Sequence, residues 1–453
     1  MMEKIVVLIV YFSLLLDNIL LTVVVPILPD YLHSVDLLIG QKSDNSTEIL
    51  SNSESAKADE FIREEAGPVG VLLSSKAFVQ IVMNPIVGFL TKYCGYYLPM
   101  FVGTVNLLAA TLLYAMGESY TSLFIARSLQ GIASSCIGVS GMCLIAEHYP
   151  SEATRSKVMG IVLGSVALGV LLGYPFGGVC YELLGKMAPF LVIATLILVN
   201  IGFQLCFLDL KVVIDQPVVE TTWSHLLADG YVALTAGSIL ISSSAMAILE
   251  PCLPVWLMNS IRPKKWQLGT VFIPDSLGYL IGTNFFGLIA YRLGRWRVAT
   301  AAMLLVGVSA VLVPSAKTMS GLIAPHFGLG LGIGIVDAAL VPLLANIVDT
   351  RHSAHYGSIY ALQQTSVSLA YALGPMAGGE LVDVVGFPWV MRVVGLMNII
   401  YSPFLALLKQ GFLPQEKETT LISGSETKVN YKTNEDTIKS TNYKRFFASD
   451  ESD

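Results

Sequence analysis

Apolar residues in this chain come in runs of about twenty, broken by short polar stretches, and twenty apolar residues is the length of a membrane-crossing helix. Residues 93–117 contain no Asp, Glu, Lys or Arg, and neither do residues 187–208. Read this way, the chain predicts spans near 5–27, 69–91, 98–117, 121–146, 158–181 and 188–208, then near 229–257, 268–290, 298–316, 319–347, 357–381 and 389–409. The expected fold class is an all-α membrane protein with twelve transmembrane helices in two pseudo-symmetric six-helix halves. The first run is too long for a signal-peptide core and no small-residue cleavage site follows it, so it is expected to stay as a helix. An even number of spans puts both termini on one side.

Polar segments divide the chain further. The expected organisation is an N-terminal half over 1–208, a linker over 209–228, a C-terminal half over 229–410 and a disordered tail over 411–453. Residues 28–68 read as a long acidic loop; within it, 30–66 carry nine acids and three bases. Basic residues in short loops set orientation. Lys4, Lys92, Arg155, Lys157, Lys211, Arg292, Arg295, Arg297 and Arg351 fall on the side of the termini, and Lys186, Arg262, Lys264, Lys265 and Lys317 opposite, which favours cytosolic termini. The sequon at Asn45 agrees, because it places the acidic loop on the glycosylated, lumenal side.

Composition narrows the function. The chain is 54% hydrophobic and 13% charged, about half the charge of a soluble domain, which excludes a soluble enzyme. A net charge of −6 with 27 Lys and Arg offers no basic face for nucleic acid. None of the six cysteines forms a CxxC pair and the histidines are scattered, so no metal, cofactor or disulfide framework is expected. The run Gly328-Leu-Gly-Leu-Gly-Ile-Gly334 lacks both the spacing and the preceding strand of a nucleotide loop.

The halves echo each other. Gly88-Phe-Leu-Thr-Lys-Tyr-Cys-Gly95 matches Gly287-Leu-Ile-Ala-Tyr-Arg-Leu-Gly294, and Gly173-Tyr-Pro-Phe-Gly-Gly178 matches Gly374-Pro-Met-Ala-Gly-Gly379, at offsets of 199 and 201 residues. Repeated six-helix halves with a site between them are a transporter architecture.

Charges inside spans are costly and usually functional. They are Asp17, Lys76, Arg127, Glu250, Asp275 and Asp337. Each has polar company at helical spacing: Lys76 with Gln80 and Asn84, Glu250 with Ser243, Asp275 with Phe272 and Tyr279. Gln364, Ser368 and Tyr371 add another stripe. Four carboxylates against one Lys and one Arg make a net acidic cavity, suited to an organic cation, and aromatic faces there could add cation–π attraction. A carboxylate out of water binds a proton more readily, which exchange of a proton for a cation requires.

The glycine-basic loops, Arg127-Ser-Leu-Gln130-Gly131 and the glycines Gly160, Gly169, Gly173 and Gly177-Gly178 resemble motifs of the major facilitator superfamily. Further stretches make the chain similar to the vesicular amine transporters. They are Leu14-Leu-Leu-Asp17-Asn18 through Pro26, Ser75-Lys76, Asn84-Pro85, Leu249-Glu250-Pro251 and Val336-Asp337; Lys265-Trp-Gln-Leu-Gly and Gly294-Arg-Trp296 favour the monoamine branch. The resemblance implies that Asp17, Asn18 and Glu250 contact a substrate amine, that Phe272, Tyr279 and Tyr371 line an aromatic pocket, and that Lys76, Glu65 and Asp337 serve gating and proton coupling. Arg127 is expected either in that coupling or as a helix brace. The chain departs from the family at Gln364, where an eleventh-span Asp pairs with the second-span Lys, and at Val367, Ser243 and Arg262. Lys76 is therefore expected to lack its partner, and Asp275 to take over part of that role by pairing with Lys76 or carrying the proton; the alternative is that Asp275 faces the lumenal mouth.

The function expected is proton-coupled antiport of a small cationic, monoamine-like substrate into acidic secretory or synaptic vesicles, by a monomer in the lipid bilayer. The alternatives are an organic-cation carrier with altered coupling, an acetylcholine-type carrier, and a non-transporting receptor or scaffold. The last has no use for unpaired buried charge.

Overall fold

The computed structural model describes the backbone of residues 2–43, 54–117, 119–208, 223–261, 263, 267, 270–352 and 356–412, and their side chains except at 2, 25–43, 54–70, 73, 223–224, 352, 377, 379, 383 and 410–412. The side chains of Asn45, Glu65 and Arg262, most of the 209–228 linker and nearly all of the 411–453 tail lie outside the described residues.

The first half holds α1 (Met2–Ser43), α2 (Glu54–Cys94), α3 (Tyr97–Met116), α4 (Tyr120–His148), α5 (Glu152–Leu184) and α6 (Met187–Phe207). A short α7 (Trp223–Ala228) precedes α8 (Gly230–Ser260), α9 (Ile273–Leu293), α10 (Arg295–Leu312), α11 (Met319–Ile347), α12 (Tyr356–Val385) and α13 (Phe387–Tyr401), and a 3-10 segment, Ser402–Phe412, follows. Ten of the spans are long and apolar enough to cross a membrane by composition alone. The other two long helices, α9 and α12, have 21 and 30 residues but are too polar to qualify by that measure. They carry Asp275, Asn284, Gln363, Gln364 and Ser368, and they pack against the opposite half, α9 on α5 and α12 on α2. Polar positions at a seam between helices do not meet lipid. Outward positions such as Leu184, Phe285 and Trp389 are apolar and exposed, as a lipid-facing belt requires.

The two halves repeat one packing scheme. The pairs α1–α5, α2–α4, α3–α4 and α3–α6 reappear as α8–α12, α9–α11, α10–α11 and α10–α13, and the cross-half pairs α2–α12 and α9–α5 exchange under the same relation. The glycines give this symmetry its residue-level form. A Cβ on Gly88 would stand 2.6 Å from the Ala361 Cβ and 2.8 Å from the Gly357 oxygen, while one on Gly287 would stand 2.6 Å from the Ser156 oxygen and close to Gly160. Ser156 and Gly357, like Gly160 and Ala361, are 201 residues apart. Gly173 meets Ile19 and Thr22 on α1, and Gly374 meets Ala247 on α8. Among the described residues, four glycines have positive φ, Gly95, Gly185, Gly294 and Gly386, at 68°, 83°, 96° and 86°, again two pairs at the repeat offset. Each follows the end of a helix, where a left-handed residue frees the chain to turn.

One expectation needs correction. Residues 28–68 read as a loop, yet α1 continues to Ser43 and α2 begins at Glu54. Polarity excludes a segment from the bilayer but not from a helix, and Glu, Ala and Lys over 54–66 are good helix formers.

Candidate substrate and coupling site

Asp17, in the middle of α1, is 5% exposed and fully supplied with donors. The Ser134 hydroxyl of α4 lies 2.7 Å from each carboxylate oxygen. The Gln130 amide donates to Oδ1 at 3.3 Å and to the Asp17 backbone oxygen at 3.2 Å. The Lys76 ammonium of α2 stands 3.5 Å from Oδ2. Gln130 accepts from Tyr114 in turn, at 3.4 Å. Residues 127, 130 and 134 recur at three- and four-residue spacing, so α4 presents them on one face toward α1. Arg127 uses that face to donate to the Leu21 carbonyl at 3.3 Å, which braces α4 against α1.

Glu250 occupies α8, the counterpart of α1 under the repeat. Tyr174 of α5 donates to its Oε1 at 2.7 Å. The Tyr174 ring stacks on Phe272 with centroids 5.5 Å apart and planes 16° apart, and Phe272 meets the His326 ring edge-on at 5.6 Å. Glu250 interacts electrostatically with Lys76 and Arg127 across the halves. In the second half Tyr279 donates to Asp337 Oδ2 at 2.7 Å. Tyr371 of α12 interacts with Glu250, Asp275 and Asp337 together. Lys76 interacts with both Asp17 and Glu250, and Tyr371 with Glu250, Asp275 and Asp337, so the carboxylates of four helices are linked through shared neighbours.

Several expected roles shift. Lys76 is not without a partner: Asp17 answers it, so the expected Lys76–Asp275 pair does not form. The reason is geometric. Asp17 and Lys76 converge on the same side of α4, whereas Asp275 leans away on α11, where a Cβ on Gly330 would lie 2.6 Å from its Oδ1. Nor does Asp275 face an open mouth, since it is 6% exposed. Gln364 rests against α4 at Gly138, and below it Ser368 accepts from Asn84 at 3.3 Å. Asn18 donates to the Leu14 carbonyl at 2.8 Å and packs at Gly169 of α5, so it belongs to the α1–α5 seam.

Sequence reasoning missed a second constellation at the helix ends on the side of the N-terminus. Arg155 of α5, 1% exposed, pairs with Asp349 at 2.7 Å, and Tyr356 donates to the same carboxylate at 2.5 Å. Arg295 pairs with Glu152 at 2.9 Å and donates to Ser156 at 2.8 Å. Arg351 pairs with Asp229 at 3.1 Å and lies 4.3 Å above the Tyr231 ring. Arg155 and Arg295 were read as loop charges that set orientation. Here they are buried and tie one half to the other. Tyr174 and the buried His326 were also missed, each hidden in an apolar run.

Residues 7–362 and 235–440 match the Major Facilitator Superfamily. The human synaptic vesicular amine transporter is 40% identical over 93% of this chain and 91% of its own length. The rat chromaffin granule amine transporter is 39% identical over 92% and 90%. A zebrafish probable vesicular acetylcholine transporter is 36% identical over 90% and 80%. Among solved structures, the human organic anion transporter MFSD10 (TETRAN) superposes with a TM-score of 0.73 at 18% identity, covering 89% of this chain and 99% of that one, a likeness of fold alone. Its members are membrane transporters and not enzymes, and this chain belongs to the Major Facilitator Superfamily and, within it, to the vesicular amine transporter family.

Proposed function

We propose that this chain exchanges protons for a small cationic, monoamine-like substrate and loads it into acidic secretory or synaptic vesicles, with both termini in the cytosol. The carrying observation is the charge pattern of the cavity. Lys76 already neutralises Asp17 in part, while among the described residues the direct partner of Glu250 is a phenol. An ammonium entering between α1 and α8 meets carboxylates from the first helix of each half, with aromatic faces at Phe272, Tyr279 and Tyr371. Asp17 and Glu250 anchor the amine, and Asn18 sets the adjoining helix seam. Lys76, Arg127 and Asp337 respond to its charge, Gln364 buttresses α4, Asp275 takes part in proton coupling and Glu65 is assigned to gating by family likeness. The ion pairs at Arg155 and Arg295 hold the cytosolic side shut and must part for entry from that side.

The names of the amine-transporting relatives favour this substrate class over a receptor role. The zebrafish acetylcholine-transporter relatives keep a quaternary ammonium as the second reading. The deciding experiment is uptake of a panel of radiolabelled amines, acetylcholine included, into acidified vesicles with and without a proton ionophore. Ionophore-sensitive accumulation of a monoamine supports the proposal; accumulation of acetylcholine alone selects the second reading, and no accumulation of any amine rejects both.

A further inference from the structure

Along the contact of α9 with α11, both helices give up side chains to come close. A Cβ on Gly330 would strike the Asp275 carbonyl and carboxylate, and one on Gly334 would stand 2.6 Å from the Tyr279 oxygen. Two titratable groups are shut into this contact. Asp275 is 6% exposed, and its Oδ1 has no hydrogen-bond partner. His326 is 0% exposed, and neither ring nitrogen completes a hydrogen bond, although the Val271 backbone is near. His326 precedes Gly330 by one turn, and its ring packs on Phe272, three residues before Asp275. The unpartnered carboxylate and the unpartnered imidazole therefore occupy successive turns of one seam.

The surroundings supply no cation. Among the described residues, no ion pair involves Asp275. The charged group that acts on it is Glu250 from α8. Tyr371 from α12 and Tyr279 on α9 complete the titratable neighbours, Asp337 of α11 is held by Tyr279, and Tyr174 of α5 covers Phe272. A buried carboxylate with neither cation nor donor is stable as the acid and costly as the anion. An imidazole without partners is likewise suited to the neutral form, ready to take a proton at one nitrogen and release one from the other.

We infer that the Asp275–His326 pair carries the exchanged proton in this chain, Asp275 as the proton-holding acid and His326 as its relay at the α9–α11 seam. This rests on the antiport reading above and deepens it. While Glu250 is ionised and unoccupied, a second negative charge at Asp275 is opposed. A cationic amine beside Glu250 cancels that opposition, so Asp275 releases its proton, with His326, one helical turn along the seam, the next acceptor on its way out. One cation is bound and one proton leaves, the balance that antiport needs. Because α9 also packs on α5 of the other half, this seam adjoins the contact between the halves.

The test uses the full-length chain, purified and reconstituted, with Asp275→Asn and His326→Asn. Asp275→Asn is expected to keep amine–amine exchange, which needs no net proton movement, within about twofold, and to lower gradient-driven accumulation about tenfold. It should also abolish the proton released to weakly buffered solution when amine is added. His326→Asn should slow both that release and accumulation, and parent-like rates of both would overturn its role as the relay. Parent-like accumulation and proton release in Asp275→Asn overturn the inference, and so does parallel loss of exchange and accumulation, which would make Asp275 a substrate contact. Infrared spectroscopy gives a readout independent of transport: the parent at neutral pH should show a protonated-carboxyl C=O band that Asp275→Asn lacks. If the parent accumulates no amine, the antiport reading fails by itself; if the infrared difference is absent, the assignment of the proton fails whatever the substrate.

Discussion

Asp17 in the first half and Asp275 in the second are both buried carboxylates, and they live in opposite surroundings. Asp17 receives Ser134, Gln130 and Lys76, so its charge is met from three sides. Among the described residues, Asp275 and Asp337 each have an oxygen with no hydrogen-bond partner, and the fully buried His326 stands beside Phe272 in the same seam. A carboxylate met by donors and a cation is held in one geometry, whereas one without them has a charge that nothing nearby answers. The same repeated scaffold thus holds a carboxylate with a full set of donors in one half and carboxylates short of donors in the other.

The largest effect that would sharpen this comparison is at Asp17. Asp17→Asn should cut uptake at least about a hundredfold while leaving expression near normal, since an amide keeps the shape but leaves Lys76 unanswered and the amine without its counter-charge. Uptake close to the parent value in a transport assay would remove Asp17 from the site and dissolve the contrast. Next comes the layer of ion pairs at the helix ends on the side of the N-terminus. Arg155→Ala leaves Asp349 without its cation at the seam of the halves, and transport should fall about tenfold or more. Exchanging the charges, Arg155→Asp with Asp349→Arg, should recover part of it; no recovery would show that Arg155 acts through something other than this pair.

A smaller effect tests the contrast in stability instead of transport. Ser134→Ala removes a charge-assisted hydrogen bond from Asp17 and should cost about 1.5–3 kcal/mol. Asp337→Asn replaces a half-satisfied buried acid by an amide and should be close to neutral. Thermal unfolding of the purified variants checks both, and equal destabilisation would mean that the halves are not furnished differently. The smallest effect is at Asn45. Asn45→Gln should shift gel mobility by one glycan and leave uptake within about twofold, because the change lies in a polar stretch of sequence outside the apolar spans. A parent without glycan would overturn the orientation or the use of this sequon.

What the sequence alone determined is what depends on local composition and periodicity. Twenty-residue apolar runs follow from bilayer thickness, the repeat from glycines at fixed offsets, and the chemical type of the cavity from charges too costly to keep without use. Asp17, Lys76, Glu250 and Asp337 were legible because a charge in an apolar run stands out. The tertiary structure alone decided who meets whom. Lys76 and Asp17 are 59 residues apart, and Arg155 and Asp349 are 194 apart. No spacing rule links such positions, because their proximity comes from the way α4, α5 and α11 pack. That packing set Asp17 against Lys76 and left Asp275 and His326 sealed without partners. It also turned Arg155 and Arg295 from loop charges into ties between the halves. A side chain's electrostatic role is fixed by its neighbours in space, and those exist only once the helices have closed.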